Sequence, residues 1–543
     1  MSDLIIRSAH IRTMAHDADA HTRPTAAAVV DGRIAWLGTD EDAAAWTGPR
    51  THVIDAQGAT LTPGLIDSHM HPVGGIEMTQ GADLGGLVTL AQVRSALAEH
   101  ARTLEAGDWL RGWNLDYKAF EGGEIRGDLF EDAAQGRPLL LLLFDVHTSV
   151  ANEAALEAAG VDGSETFDDA SEIVVDEYGR PTGKLQEMPA FHRVLRGAPG
   201  LHPAEAAHEV QRILSEAAAA GVTGTTVLDG RDWTVDVIRA AEALPGGLPV
   251  RLDVAMWHEP GDGDDLVAHR VGMLGVGGDR WRVRMIKMFL DGVIDAGTAW
   301  LHQPDAQGDS TGPFWKSLDR FAEVCRSYHD AGFQLTTHSC GDAGVAHAAR
   351  VYEGLSDFVA GPARIEHLET LTDDDVALLS RTGTVASMQP LHMQWREPGN
   401  VDSWGARLGD ERASNSWRTR DILQAGGRLA LGSDWPVASL DARLGMAWAR
   451  LRREPGNPSA PVFESEQRLT GEEALLGYTR WAAEALGDGH RGVIRPGATA
   501  DLTLWAEDPV TADADELTQI SVLMTTIDGK IVHNDPLVKG AAR

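Results

Sequence analysis

Along most of this chain, short apolar runs alternate with longer stretches in which apolar residues recur every three to four positions. The runs lie at 61–68, 221–229, 250–257, 283–290, 333–338, 364–367, 384–389 and 428–434. Strand-like runs followed each time by helix-like periodicity are the pattern of βα units around a parallel sheet. Eight of them predict an α/β fold, a (β/α)8 TIM barrel, whose chemistry sits at the C-terminal ends of the strands. The interval from about 75 to 215, between the first two runs, is far longer than an ordinary βα connection. It carries an apolar run of its own, Leu139 to Phe144, and many aromatic residues. A long insertion over the barrel mouth is the expectation.

The two ends read differently. Asp31-Gly32 separates two apolar arms near the start, and Asp528-Gly529 does the same near the finish. Asp-Gly between apolar arms is a strong hairpin signal. The ends are therefore expected to form one small β-sandwich domain, from residues 1–60 and 486–543, around a barrel of residues 61–485.

Composition narrows the function classes. The chain has 543 residues, 47 basic against 81 acidic, for a net charge of −34. That surface disfavours nucleic acid and anionic membranes as partners. The longest apolar run is far too short to span a bilayer, and no secretory signal opens the chain. With only Cys325 and Cys340 as cysteines, a disulfide framework is not expected. A cytoplasmic protein acting on a small molecule follows; a homodimer is left open.

Chemistry gathers at the ends of the predicted strands. In Asp67-Ser68-His69-Met70-His71, alternation along a strand points His69 and His71 to one side, a half-site for a borderline cation such as zinc. His338 and His367 close the fifth and sixth runs, and Asp434 follows the eighth. Lys287 lies inside the apolar fourth run of a chain poor in lysine. A buried ammonium is costly unless paired or modified, and addition of carbon dioxide would make it a carbamate able to bridge two cations.

This order of His-x-His, Lys, His, His and Asp resembles the amidohydrolase superfamily, in particular the subgroup similar to N-substituted formamide deformylase. The resemblance runs through 62–72, 179–183, 287–292, 338–342, 365–369, 432–437 and 492–504. It implies that His69 and His71 bind the more buried metal with Asp434, and that His338 and His367 bind a second, bridged by carboxylated Lys287. One or two zinc ions per chain are implied. Two stretches depart from the subgroup: Val293 to Thr298 after the fourth strand, and Asp145-Val146-His147 in the insertion. Both bear on the substrate.

A bound cation brings the pKa of water from 15.7 to about 7, supplying hydroxide at neutral pH. Asp434 would take the proton and return it to the leaving nitrogen, with His147 as a donor to the oxyanion. The expected reaction is hydrolysis of a C–N bond in a neutral, hydrophobic or aromatic N-substituted amide, formamide or carbamate. Trp113, Asp291, Trp300 and Trp435 are the expected substrate contacts. The rival is a deaminase of a heterocycle on the same barrel. Such deaminases carry a Glu three residues after the strand-five histidine, where this chain has Gly341 followed by Asp342.

Overall fold

The computed structural model describes residues 2–16, 24–355 and 357–535. Eight parallel strands form one sheet in simple sequence order: β1 (Leu65–Met70), β2 (Val222–Gly230), β3 (Arg251–His258), β4 (Trp281–Phe289), β5 (Gln334–Ser339), β6 (Arg364–His367), β7 (Val385–Met388) and β8 (Arg428–Leu431). This is the expected α/β barrel. Its closing seam lies beyond the end of β8: Asp434 N–H donates to the His69 carbonyl at 2.7 Å, and His71 N–H to the Trp435 carbonyl at 2.8 Å. Gly432 lets the two backbones approach, since a Cβ there would come within 2.6 Å of His69 N.

Two strand boundaries differ from expectation. The run at 61–68 divides at Gly64: Thr60–Pro63 pairs with Leu502–Trp505 in another sheet, and the barrel strand starts at Leu65. Apolar content alone cannot show such a change of sheet. The run at 428–434 is strand only to Leu431, so Asp434 sits on the loop beyond it with φ of +59°.

Residues from both ends share the other core. A four-stranded sheet (Leu4–Arg7, Ala26–Val30, Arg33–Gly38, His52–Asp55) packs against a five-stranded one that joins His10–Ile11 and Thr60–Pro63 to Leu502–Trp505, Val522–Ile527 and Lys530–Asn534. Leu4, Ile6, Val29 and Ile54 meet Leu61, Leu502, Leu504 and Met524 in one apolar cluster. Both Asp-Gly turns hold two residues at positive φ, the primed geometry that matches strand twist. The interval between β1 and β2 folds around a six-stranded sheet of its own, and Leu139–Leu143 is one of its inner strands. No helix among the described residues is long and apolar enough to cross a membrane.

Inside the barrel, below the strand ends, lies a buried ion pair. Arg364 and Glu366 sit two residues apart on β6, so both point inward, and both side chains are wholly buried. The guanidinium donates to Glu366 at 3.0 Å and also reaches Ser68 O, Thr226 Oγ1 on β2 and Ser387 Oγ on β7. Thr336 Oγ1 on β5 donates to the carboxylate. One polar cluster thus ties five strands together. Removing one partner of such a pair leaves an uncompensated buried charge. Arg364→Ala is expected to lose about 3–5 kcal/mol in urea unfolding; a loss below about 1 kcal/mol would mean that Glu366 is compensated elsewhere.

Candidate active site

The two histidines at the end of β1 do turn to one side. His69 Nε2 and His71 Nε2 lie 3.2 and 3.1 Å from the same atom, Asp434 Oδ1. The other carboxylate oxygen faces the opposite way, 3.8 Å from His367 Nδ1 and 3.5 Å from His392 Nε2. Ring centroids are 4.7 Å apart for His69 and His367, and 4.4 Å for His367 and His338. His338 follows the wall of this cluster, its Nε2 at 3.2 Å from the Gly292 carbonyl. The structure therefore brings His69, His71, His338, His367 and Asp434 together at the barrel mouth.

Charge in this buried place is sharply sorted. Burial raises the pKa of Asp434, but His69, His71 and His367 outweigh it and hold the carboxyl well below its ordinary value. Burial, with positive neighbours, drives His338 and His367 well below the usual imidazole range. Burial brings Lys287 down to about 8. Its ammonium lies 5.4 Å from the Phe289 ring centroid. Glu366 stays ionised against burial because Arg364 is beside it, and His69 meets its Oε2 through Nδ1 at 2.8 Å. That contact leaves Nε2 as the His69 nitrogen turned toward Asp434.

The donor set fits a divalent cation. His69 Nε2, His392 Nε2 and Asp434 Oδ1 are buried without a hydrogen-bond partner, although His69 and Asp434 approach to 3.2 Å. Atoms that converge without bonding one another share a point of aim. Imidazole nitrogens with a carboxylate oxygen are what zinc favours.

Above the cluster runs a narrow cavity walled by Phe144 and His147 from the insertion, Trp257 near the end of β3, and Trp395, Arg396 and Trp404 after β7. Phe144 and Trp395 stack with centroids 4.8 Å apart. His147 bonds through Nδ1 to Glu187; burial lowers its pKa, but Glu187 raises it to about 9. The four expected substrate contacts stand elsewhere. Trp113 and Trp435 line a separate surface hollow, and Trp300 packs against His347. Asp291 is buried beneath the loops, accepting from the backbone N–H groups of Trp300, Cys340 and Gly341. Proximity in sequence to a ligand proved a poor guide, because successive residues of a strand-end loop face different ways.

His392, Glu366 and Glu369 were not singled out from the sequence. His392 lies in a 3-10 turn, Pro390–Trp395, past the end of β7, where strand alternation no longer applies. The signal was nevertheless of the same kind: an apolar run followed by a histidine. Asp342, the nearest acid to the deaminase position, accepts from the N–H groups of His302 and Ala343 at a helix start and lies outside the cavity wall.

Barrel, strand-end imidazoles and inward carboxylate form the candidate centre of a metal-dependent hydrolase. The amidohydrolase family matches residues 52–533, and the chain belongs to it. It is similar to a putative amidohydrolase, YtcJ, of Bacillus subtilis, at 27% identity over 96% of this chain and 98% of the relative. It is also similar to the N-substituted formamide deformylase of Arthrobacter pascens, at 27% over 97% and 98%. Among solved structures, an uncharacterized metal-dependent hydrolase from Pyrococcus horikoshii shares the fold with a TM-score of 0.72 at 19% identity, over 94% of this chain and 99% of that one.

If Glu366 fixes His69 for a cation, Glu366→Gln, which also leaves Arg364 without its counter-charge and so lowers stability, should in protein shown by circular dichroism to be folded weaken retention of one metal equivalent by about 10–100-fold against a competing chelator. Wild-type retention in that variant would leave Glu366 with a purely structural role.

Proposed function

We propose that the enzyme hydrolyses the C–N bond of an uncharged N-substituted amide, formamide or carbamate with a hydrophobic or aromatic portion. The observation that carries this is the state of Arg396, the arginine of the cavity wall. Its guanidinium is committed to Asn400 Oδ1 at 2.7 Å and Ser416 Oγ at 3.3 Å, lies 3.8 Å from Asp402, and stacks on Trp404 at 4.3 Å. Both terminal nitrogens are thus engaged within the protein, and Nε, without a hydrogen-bond partner, faces Asp402. Asp145 and Glu369 line the same cavity and disfavour a substrate carboxylate, Asp295 is pushed up to about 8 by burial and adds no charge at neutral pH, and the aromatic rings suit an apolar group. With a net charge of −34, the protein fits a cytoplasmic enzyme of small molecules, without nucleic-acid or membrane partners.

In this reading His69, His71 and Asp434 hold one divalent cation, most simply zinc. His338, His367 and a carbamate on Lys287 hold a second. Bound there, cations acidify a water and polarise the substrate carbonyl. Asp434 takes the proton from the attacking water and hands it to the departing nitrogen, which leaves poorly unless protonated. Its charge, kept by the surrounding imidazoles, makes it available as a base. His147, oriented by Glu187 and charged at neutral pH, offers a ring N–H to the developing oxyanion. The lowered pKa of Lys287 favours the free amine, the form that adds carbon dioxide.

Two measurements test the reading. Wild-type enzyme should show a higher kcat/KM for an aryl-substituted amide than for an N-acyl amino acid, and Asp434→Asn should lose about 10²–10⁴-fold in kcat on the better substrate. Preference for the N-acyl amino acid would overturn the substrate class, and undiminished kcat the role of Asp434. Separately, Lys287→Ala should bind less metal and regain part of its activity with short-chain carboxylic acids. Full metal content without rescue would rule out the carbamate.

A further inference from the structure

We propose that His392 is a metal ligand, and that Asp434 bridges two cations by giving one carboxylate oxygen to each. The inference rests on the metal reading above and adds a residue and a bridge to it. Asp434 Oδ1 faces His69 and His71, at 3.2 and 3.1 Å, whereas Oδ2 faces His392 and His367, at 3.5 and 3.8 Å. Two ligands of one tetrahedral cation at about 2.0–2.2 Å lie about 3.3–3.6 Å from each other. Both sets of separations fit that spacing to within a few tenths of an ångström. His367, His392 and Asp434 thus form a second three-donor group, with all three ligand atoms within 4.8 Å of one another.

The surroundings of His392 match a ligand better than a packing residue. The side chain is 8% exposed, and its Nε2 is buried without a hydrogen-bond partner. A buried polar atom normally finds a partner, so one that lacks it and points at a carboxylate requires a reason. The other ring nitrogen faces Glu369 Oε1 at 3.7 Å, and Trp404 Nε1 holds that carboxylate at 2.7 Å. A carboxylate behind one imidazole nitrogen and an open lone pair on the other is the usual arrangement around a ligating histidine. His69 repeats it, with Glu366 behind Nδ1 and Asp434 before Nε2. The ring is also fixed from its sides, 5.5 Å from Trp395 and 6.2 Å from His367, nearly parallel to the latter.

The test measures metal directly. Purified wild type and His392→Ala are loaded with zinc, and the retained equivalents are counted while a chelator is titrated in. Circular dichroism and retention of the first equivalent report that the variant is folded. Loss of a ligand should weaken the second equivalent by more than about 100-fold, the upper end of what loss of an outer partner costs. Glu369→Gln, which removes only the carboxylate behind the ring, should fall within about 10–100-fold. In parallel, His392→Cys loaded with cobalt(II) should show a thiolate-to-cobalt charge-transfer band absent from wild type, a signal independent of stability and activity. If His392→Ala does not fold, this cysteine variant alone decides the matter. A weakening of about 100-fold or less, or no charge-transfer band in His392→Cys, overturns the assignment. Wild-type protein that retains no cation overturns both this inference and the reading beneath it.

Discussion

Asp434 is 4% exposed and yet ionised, and the barrel mouth is arranged around keeping it so. A lone carboxylate in such a place would protonate. Imidazoles from β1 and β6 prevent that, and they are themselves disciplined by charges deeper in the barrel. Arg364 holds Glu366 ionised, Glu366 takes one nitrogen of His69, and the other nitrogen of His69 is left for Asp434. A chain of alternating charge therefore runs from the barrel's interior to its mouth. Each link is stable only because the next is present.

The backbone bears part of the cost. His367, Leu368 and Asp434 all sit at positive φ, a region that non-glycine residues enter only under constraint. Left-handed geometry costs about 1–2 kcal/mol per residue for side chains of this kind. Here it turns the chain sharply just past two strand ends, so that a histidine and an aspartate face inward. The strain coincides with the candidate metal-binding residues, and such conformations tend to gather at functional sites.

Much of this was legible in the residue pattern. Alternating runs and helical periods gave the barrel, because a parallel strand covered on both faces must be apolar throughout. His69 and His71 could be paired from the period of a strand alone, and the remaining donors from their positions at the ends of runs. The pattern failed where geometry was not periodic. His392 sits in a 3-10 turn and the cavity wall is assembled from the insertion, the end of β3 and the segment after β7, so no local rule relates those residues. The same limit applies to Trp113, Asp291, Trp300 and Trp435, which stand outside the wall of this cavity. Being adjacent to a ligand in the chain says little about which way a loop side chain faces.

The sheet that unites the two ends has a consequence for how the molecule comes into being. Leu61 pairs with Leu504, and Thr62 with Thr503, across more than four hundred residues of intervening chain. Synthesis proceeds from the N-terminus at about 5–20 residues per second. For tens of seconds the nascent protein exposes an early strand edge whose neighbour has not yet been made. Apolar side chains that pack on Leu502, Leu504 and Met524, among them Leu4, Ile6, Ile54 and Leu61, must wait, uncovered or shielded by a chaperone, until those strands leave the ribosome. The architecture that seals the finished enzyme is thus also the one that delays its completion.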